Sequence, residues 1–125
     1  MPVSKLPHDH GQLLEHRIAH IPAREDFDTV SGAFKLLGDS SRMQIFWILC
    51  HCEECVINLS AMMDMSSPAV SHHLKQLKSA GLIVSHREGK EVYYTAAQTR
   101  QVELLHLALE ELVSVTCPLP EANTD

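Results

Sequence analysis

Residues 65–94 read MSSPAVSHHLKQLKSAGLIVSHREGKEVYY. The stretch predicts a helix followed at once by a two-stranded hairpin. Ser66 or Ser67 supplies the helix cap, and Pro68 suits the first helical position, where a missing N–H leaves no donor lost. Val70, Leu74 and Leu77 recur at helical spacing and are expected to face a core. Gly81 then stops the helix. Leu82, Ile83 and Val84 begin a strand. Glu88, Gly89 and Lys90 make a turn, and Val92, Tyr93 and Tyr94 return as a second strand.

The other face of this helix carries Ser71, His72, His73, Lys75, Gln76 and Lys78, which are hydroxyl, imidazole, amide and amine groups with no carboxylate among them. Such groups reach base edges and phosphates. Arg87 and Lys90 flank the hairpin turn. Residues 66–100 hold five Lys/Arg against two acids, a local net of +3 in a chain of −6, so the remainder carries −9. Positive charge is thus concentrated where a duplex would dock. A merely solvated amphipathic face is the plainer reading of the same charges.

Upstream, FDTVSGAFKLL at residues 27–37 spaces Phe27, Val30, Phe34 and Leu37 for a helix that Gly38 closes. Asp39 and Ser40 signal the next start. SSRMQIFWILCHC, residues 40–52, predicts a core helix with Met43, Ile45, Phe46, Ile48 and Leu49 buried and Trp47 partly so. In EECVINLSAMMDM, residues 53–65, Val56, Leu59 and Met63 predict a third short helix, and Asp64 to Ser66 the turn. Two helices joined by a tight turn, the second polar-faced, form a helix-turn-helix, and the hairpin makes it winged. Downstream, QTRQVELLHLALEELVSV at residues 98–115 predicts an amphipathic helix with Val102, Leu105, Leu109, Leu112 and Val115 on one face. Leu104 and Ala108 lie beside that face. So apolar a terminal helix implies a two-fold dimer.

The fold class expected is therefore mainly α with a small β-hairpin wing: a winged helix-turn-helix, homodimeric through its terminal helices. Residues 1–25 form a His-rich arm, with a short helix expected over residues 12–19. Residues 26–116 form the winged domain and 117–125 a tail. At 125 residues with 45% hydrophobic and 5% aromatic content, one small helical domain is expected. No apolar run reaches membrane length and no signal peptide opens the chain, so the expectation is a soluble cytoplasmic protein with no membrane partner. No nucleophile–base spacing or phosphate-cradling loop points to an enzyme.

Three of the four cysteines, Cys50, Cys52 and Cys55, fall within CHCEEC, with His51, Glu53 and Glu54 close by; the fourth is Cys117. In a reducing compartment such a cluster reads as metal-binding or redox-active. Thiolates suit Cd(II), Pb(II), Zn(II), Cu(I) or As(III). Three sulfurs alone fit trigonal As(III), and an imidazole from the arm, His8 or His10, completes a tetrahedron for Zn or Cd. Cys50 and Cys52 on one continuous helix would point about 200° apart, so they share an ion only if the helix ends near Cys50. Otherwise Cys50 is a small core residue and only Cys52 and Cys55 are exposed. A thiol redox or persulfide switch uses the same cysteines. His106 and Cys117 are secondary ligand candidates, and Glu103, His106 and Glu110 share a helix face.

LGDSSRMQIFWIL (37–49) followed by ECVINLSAMMDMSSPAVSHHLKQLKSAGLIVSHREGKEVYY (54–94) resembles the ArsR/SmtB family of bacterial metal-responsive repressors, over roughly residues 27–115. The resemblance implies a homodimeric repressor released from double-stranded operator DNA by an inducer, here a thiophilic metal or metalloid ion. It matches the recognition helix to residues 67–76 and the wing to residues 87–90, with contacts at Ser67, Ser71 and His72 and with His73 and Lys75 adjacent; Ser66, Gln76, Arg87 and Lys90 complete the expected DNA-binding set. Where the family often has glutamine and serine, this chain has Ser67 and Pro68, so operator preference should differ. The family's C-terminal zinc positions correspond to Gln98, Arg100, Glu111 and Ser114; Arg100 cannot ligate a cation and Gln98 is a poor substitute, so a zinc site of that type is not expected. Cys55 matches the first cysteine of the family's thiol motif, but Ile57 replaces the second and Asn58 an acidic ligand. A metal- or thiol-handling protein with this fold and no operator is the competing function. Its role would survive mutation of Ser71, His72 and Arg87.

Overall fold

The computed structural model describes residues 7–8 and 20–116. The chain divides into two compact units, residues 1–33 and 34–125. The expected helix over residues 12–19 lies outside the described residues, as do His10 and Cys117.

Among the described residues, five helices and three strands follow in order: α1 (Arg24–Leu37), α2 (Ser40–His51), β1 (Glu54–Cys55), α3 (Val56–Met63), α4 (Ser67–Ser79), β2 (Ile83–Glu88), β3 (Glu91–Ala96) and α5 (Arg100–Thr116). Asp39 caps α2 by accepting from the Arg42 N–H at 3.0 Å. Between α3 and α4, Asp64 adopts a left-handed φ of 53° and its N–H turns back on the Ala61 carbonyl. Asp tolerates that region better than most residues. Ser66 then caps α4 through its Oγ, which accepts from the Ala69 N–H at 3.2 Å. Ser67 takes the first helical position and Pro68 the second, one place later than the expected register.

The C-terminus of α4 closes in a Schellman motif. Gly81, at φ +78°, donates to the Lys78 carbonyl, and Leu82 donates to that of Leu77, both at 3.0 Å. Leu82 is thereby buried and the chain is aimed into β2. The β2–β3 hairpin runs in register from Ile83 opposite Ala96 to Glu88 opposite Glu91. Gly89 opens its two-residue turn at φ +64°, a glycine place in a hairpin.

One strand was not expected. β1 pairs antiparallel with β3, Glu54 opposite Tyr94 and Cys55 opposite Tyr93, giving the sheet order β1-β3-β2.

The core of the second unit gathers Ile45, Phe46 and Leu49 of α2, Leu59 of α3, Val70, Leu74 and Leu77 of α4, Leu82, Ile83, and Val102 and Leu109 of α5. Burying each large side chain contributes about 1.5–3 kcal/mol. Met43 is half-buried rather than buried. On α5 the inward line is Val102, Leu105 and Leu109, while Leu112, expected on that line, is 63% exposed with Leu104 and Leu107. The helix starts at Arg100, where Thr99 Oγ1 accepts from the Val102 N–H, not at Gln98. On α1, Phe27, Val30 and Phe34 are also exposed. Among the described residues no helix is long and apolar enough to cross a membrane.

Candidate nucleic-acid interface and sensor region

Four of the named α4 side chains lie on its exposed face: Ser67, Ser71, His72 and Lys75. Ser67 Oγ lies 3.2 Å from Ser60 Oγ, joining the start of α4 to α3. Ser66 is committed to its cap. At the far end, Lys78 Nζ donates to Ser85 Oγ at 2.7 Å and fastens the last turn of α4 to the wing. Arg87 and Lys90 are exposed on the wing itself.

His73 and Gln76, also among the expected DNA contacts, are less exposed. Both are half-buried and turned toward Arg42. Arg42 Nη1 donates to Gln76 Oε1 at 2.8 Å and lies 3.5 Å from His73 Nδ1. Its Nε donates to the Leu36 carbonyl at 2.8 Å. One guanidinium therefore ties the end of α1 and the start of α2 to the middle of α4. Burial holds the His73 imidazole below its ordinary pKa, against the opposing pull of Asp39 4.0 Å away. The Arg42 N–H holds the Asp39 carboxyl below its usual range. Arg42 escaped the sequence reading. The signal available was its position as the sole Lys or Arg in α2, beside the apolar run from Ile45 to Leu49.

The cysteine segment straddles the junction of α2 and α3. Cys50 is half-buried on the last turn of α2. Cys52 is exposed and extended (φ −158°), its Sγ donating to the Ile48 carbonyl at 3.4 Å. The helix thus ends at His51, which frees Cys52 from the helical repeat. Cys55 is buried, unlike in the alternative that made Cys50 the one core thiol, and β1 pairs it with Tyr93. Burial, then the Glu110 carboxylate, pushes the Cys50 thiol up to about 11. Cys52 is raised by burial and by Glu54. Glu54 Oε1 accepts from Asn58 Nδ2 at 2.7 Å and from the Cys55 N–H at 3.2 Å, closing the open end of α3.

The three thiols do not converge. Among the described residues, two groups bring three ligand atoms within 4.8 Å of one another, His51 with His106 and Glu110, and Glu53 with His86 and Glu88. Neither contains a cysteine. Glu103, expected to share a ligand face with His106, pairs with Arg100 instead, at 2.9 Å. His8 is exposed in the first unit.

Comparison with known proteins agrees with this architecture. The family described as bacterial regulatory protein, arsR family, matches residues 39–85. The cadmium resistance transcriptional regulatory protein CadC of Listeria innocua is 40% identical over 87 residues, 67% of this chain and 73% of that protein. The transcriptional repressor SmtB homolog of Synechocystis is 30% identical over 112 residues, 90% of this chain and 85% of that one. Among solved structures, HlyU from Vibrio cholerae superposes with a TM-score of 0.67 at 27% identity, covering 72% of this chain and 97% of its own. A homodimeric winged helix-turn-helix DNA-binding domain from Mycobacterium bovis gives 0.66 at 26% identity, covering 84% and 98%. With the fold, the turn between α3 and α4 and the wing all in place, the chain belongs to the arsR family of bacterial regulatory proteins, which are winged helix-turn-helix transcription regulators and not enzymes.

Proposed function

We propose that this chain is a cytoplasmic, homodimeric repressor. It grips double-stranded operator DNA through α4 and the wing and releases it when a thiophilic metal or metalloid ion binds residues 50–55. The observation that carries the DNA half is the carboxylate-free exposed face of Ser67, Ser71, His72 and Lys75, continued by Arg87 and Lys90 of the wing. Donors at these places reach phosphates and base edges in a major groove. Leu104, Leu107 and Leu112 on α5, and separately Phe27 and Val30 on α1, are apolar surfaces that a second copy would cover. A two-fold dimer presents two reading helices to half-sites about 34–36 Å apart.

The inducer half is supported by the Listeria relative, a cadmium-resistance regulator, and by the chemistry of CHCEEC. Cys50 and Cys52 flank the end of α2, and Cys55 immediately precedes α3. An ion drawing these thiols together, with His8 or His10 of the arm, shifts α3 and with it α4. A coupling on the order of 1–3 kcal/mol lowers operator affinity about 5- to 150-fold.

A gel-shift of the chain's own promoter with and without Cd(II) tests both halves. Specific binding, lost on adding Cd(II) and retained with Cd(II) in Cys52→Ser, is expected. Cys52→Ser dissociating like the wild type would remove residues 50–55 as the sensor.

A further inference from the structure

The tightest cluster of ligand atoms among the described residues contains no thiol. His51 Nε2 is 2.8 Å from Glu110 Oε1, His106 Nε2 is 3.0 Å from the same oxygen, and the two Nε2 atoms are 3.2 Å apart. Hydrogen bonds cannot satisfy this triangle well. Each neutral imidazole brings at most one Nε2 proton. With both protons directed at the carboxylate, two donors crowd each other; with one removed, a short contact lacks its proton. A single cation above the triangle satisfies all three atoms together. Zinc bonds imidazole nitrogen and carboxylate oxygen at about 2.0–2.2 Å, and a point about 1.1 Å off the plane of these three atoms is about 2.05 Å from each.

The surroundings are built for it. His106 and Glu110 are one helical turn apart on α5, so a single face presents both. His51 ends α2, its ring packed at a tilt of 38° and 4.2 Å against Trp47 and edge-on to His106 at 4.8 Å, contacts that fix its orientation. His106 and Cys50 line one open cleft of about 560 Å³, which gives an ion and its water a path.

The other candidate cluster fails the same test. His86 approaches Glu53 with Nδ1 and Glu88 with Nε2, opposite edges of one ring, and no single ion takes both.

We propose that His51, His106 and Glu110 form a second ion site, within one protomer, for a borderline divalent cation such as Zn(II) or Co(II), with water in the fourth position. Two imidazoles and a carboxylate select such ions, whereas thiolates select Cd(II) and As(III). The bound ion ties the end of α2 to α5. The inference does not rest on the thiol site or on operator binding.

The test is titration of the full chain with Zn(II), followed by NMR of the imidazole ring nitrogens, with Co(II) absorbance for affinity. Two of the nine histidines should shift at one equivalent. His106→Gln and Glu110→Gln should each weaken Co(II) binding at least about tenfold while circular dichroism stays unchanged. His86→Gln, in the cluster that fails the geometric test, should bind as wild type. No saturable binding, binding unchanged in both ligand variants, or an equal loss in His86→Gln would overturn the site.

Discussion

Arg42 and Gln76 meet at 2.8 Å across 34 residues of sequence, guanidinium to amide oxygen, and the reading helix hangs on that contact. Arg42→Ala deletes a charged donor to Gln76 and to the Leu36 carbonyl. It should lower stability by about 1.5–3 kcal/mol in denaturant unfolding. Gln76→Ala removes one partner and should cost about 1 kcal/mol. Equal stability of Arg42→Ala and wild type would mean that the guanidinium is not a tether.

His73 makes the fold sensitive to mild acid. Its imidazole is harder to protonate in the folded chain than in the unfolded one. Below the ordinary value of 6.5 the unfolded chain therefore takes up more proton, and stability falls with falling pH. The contribution is fully present above 6.5 and declines through the region between that value and the depressed folded pKa. His73→Gln should flatten this slope in denaturant midpoints measured between pH 7.5 and about 5.

Gly81→Ala isolates backbone conformation from packing. An added Cβ meets no atom within 4 Å, so the penalty comes from the φ of +78° alone. A loss of about 1–2 kcal/mol is expected from thermal or denaturant melts. Gly38→Ala is different in kind, since its Cβ would sit 3.2 Å from the Lys35 carbonyl oxygen.

The thiols should react in a set order. Cys52 is exposed, Cys50 is half-buried with its thiol pushed up to about 11, and Cys55 is buried. Alkylation at neutral pH followed by mass spectrometry should modify Cys52 before Cys50 and Cys55. Cys55 reacting first would mean that β1 opens readily.

Much of the winged domain is legible in the sequence because its punctuation is local. Ser66, Pro68 and Gly81 mark the ends of α4 by chemistry within a few residues, and Val70, Leu74 and Leu77 mark its inner face. What stayed hidden depends on distance. β1 is two residues long, too short for any periodicity, yet it decides that Cys55 is buried. His51 and His106 lie 55 residues apart, and nothing near either names the other. The apolar residues of α5 cover more than one face, so the pattern alone could not tell the inward Leu109 from the outward Leu112. His73 and Gln76 read as part of a polar stripe until Arg42 was seen to hold them.

The central claim is that the exposed face of α4 reads sequence. Fluorescence anisotropy of a labelled promoter duplex, competed with random duplex at physiological salt, tests it most directly on wild type and the Ser71→Ala, His72→Ala double variant. Wild type should prefer the promoter at least about a thousandfold. The double variant, folded by circular dichroism, should lose most of that preference while keeping the salt-dependent binding supplied by Lys75, Arg87 and Lys90. A wild type with no preference, or a double variant that keeps it in full, would contradict the claim.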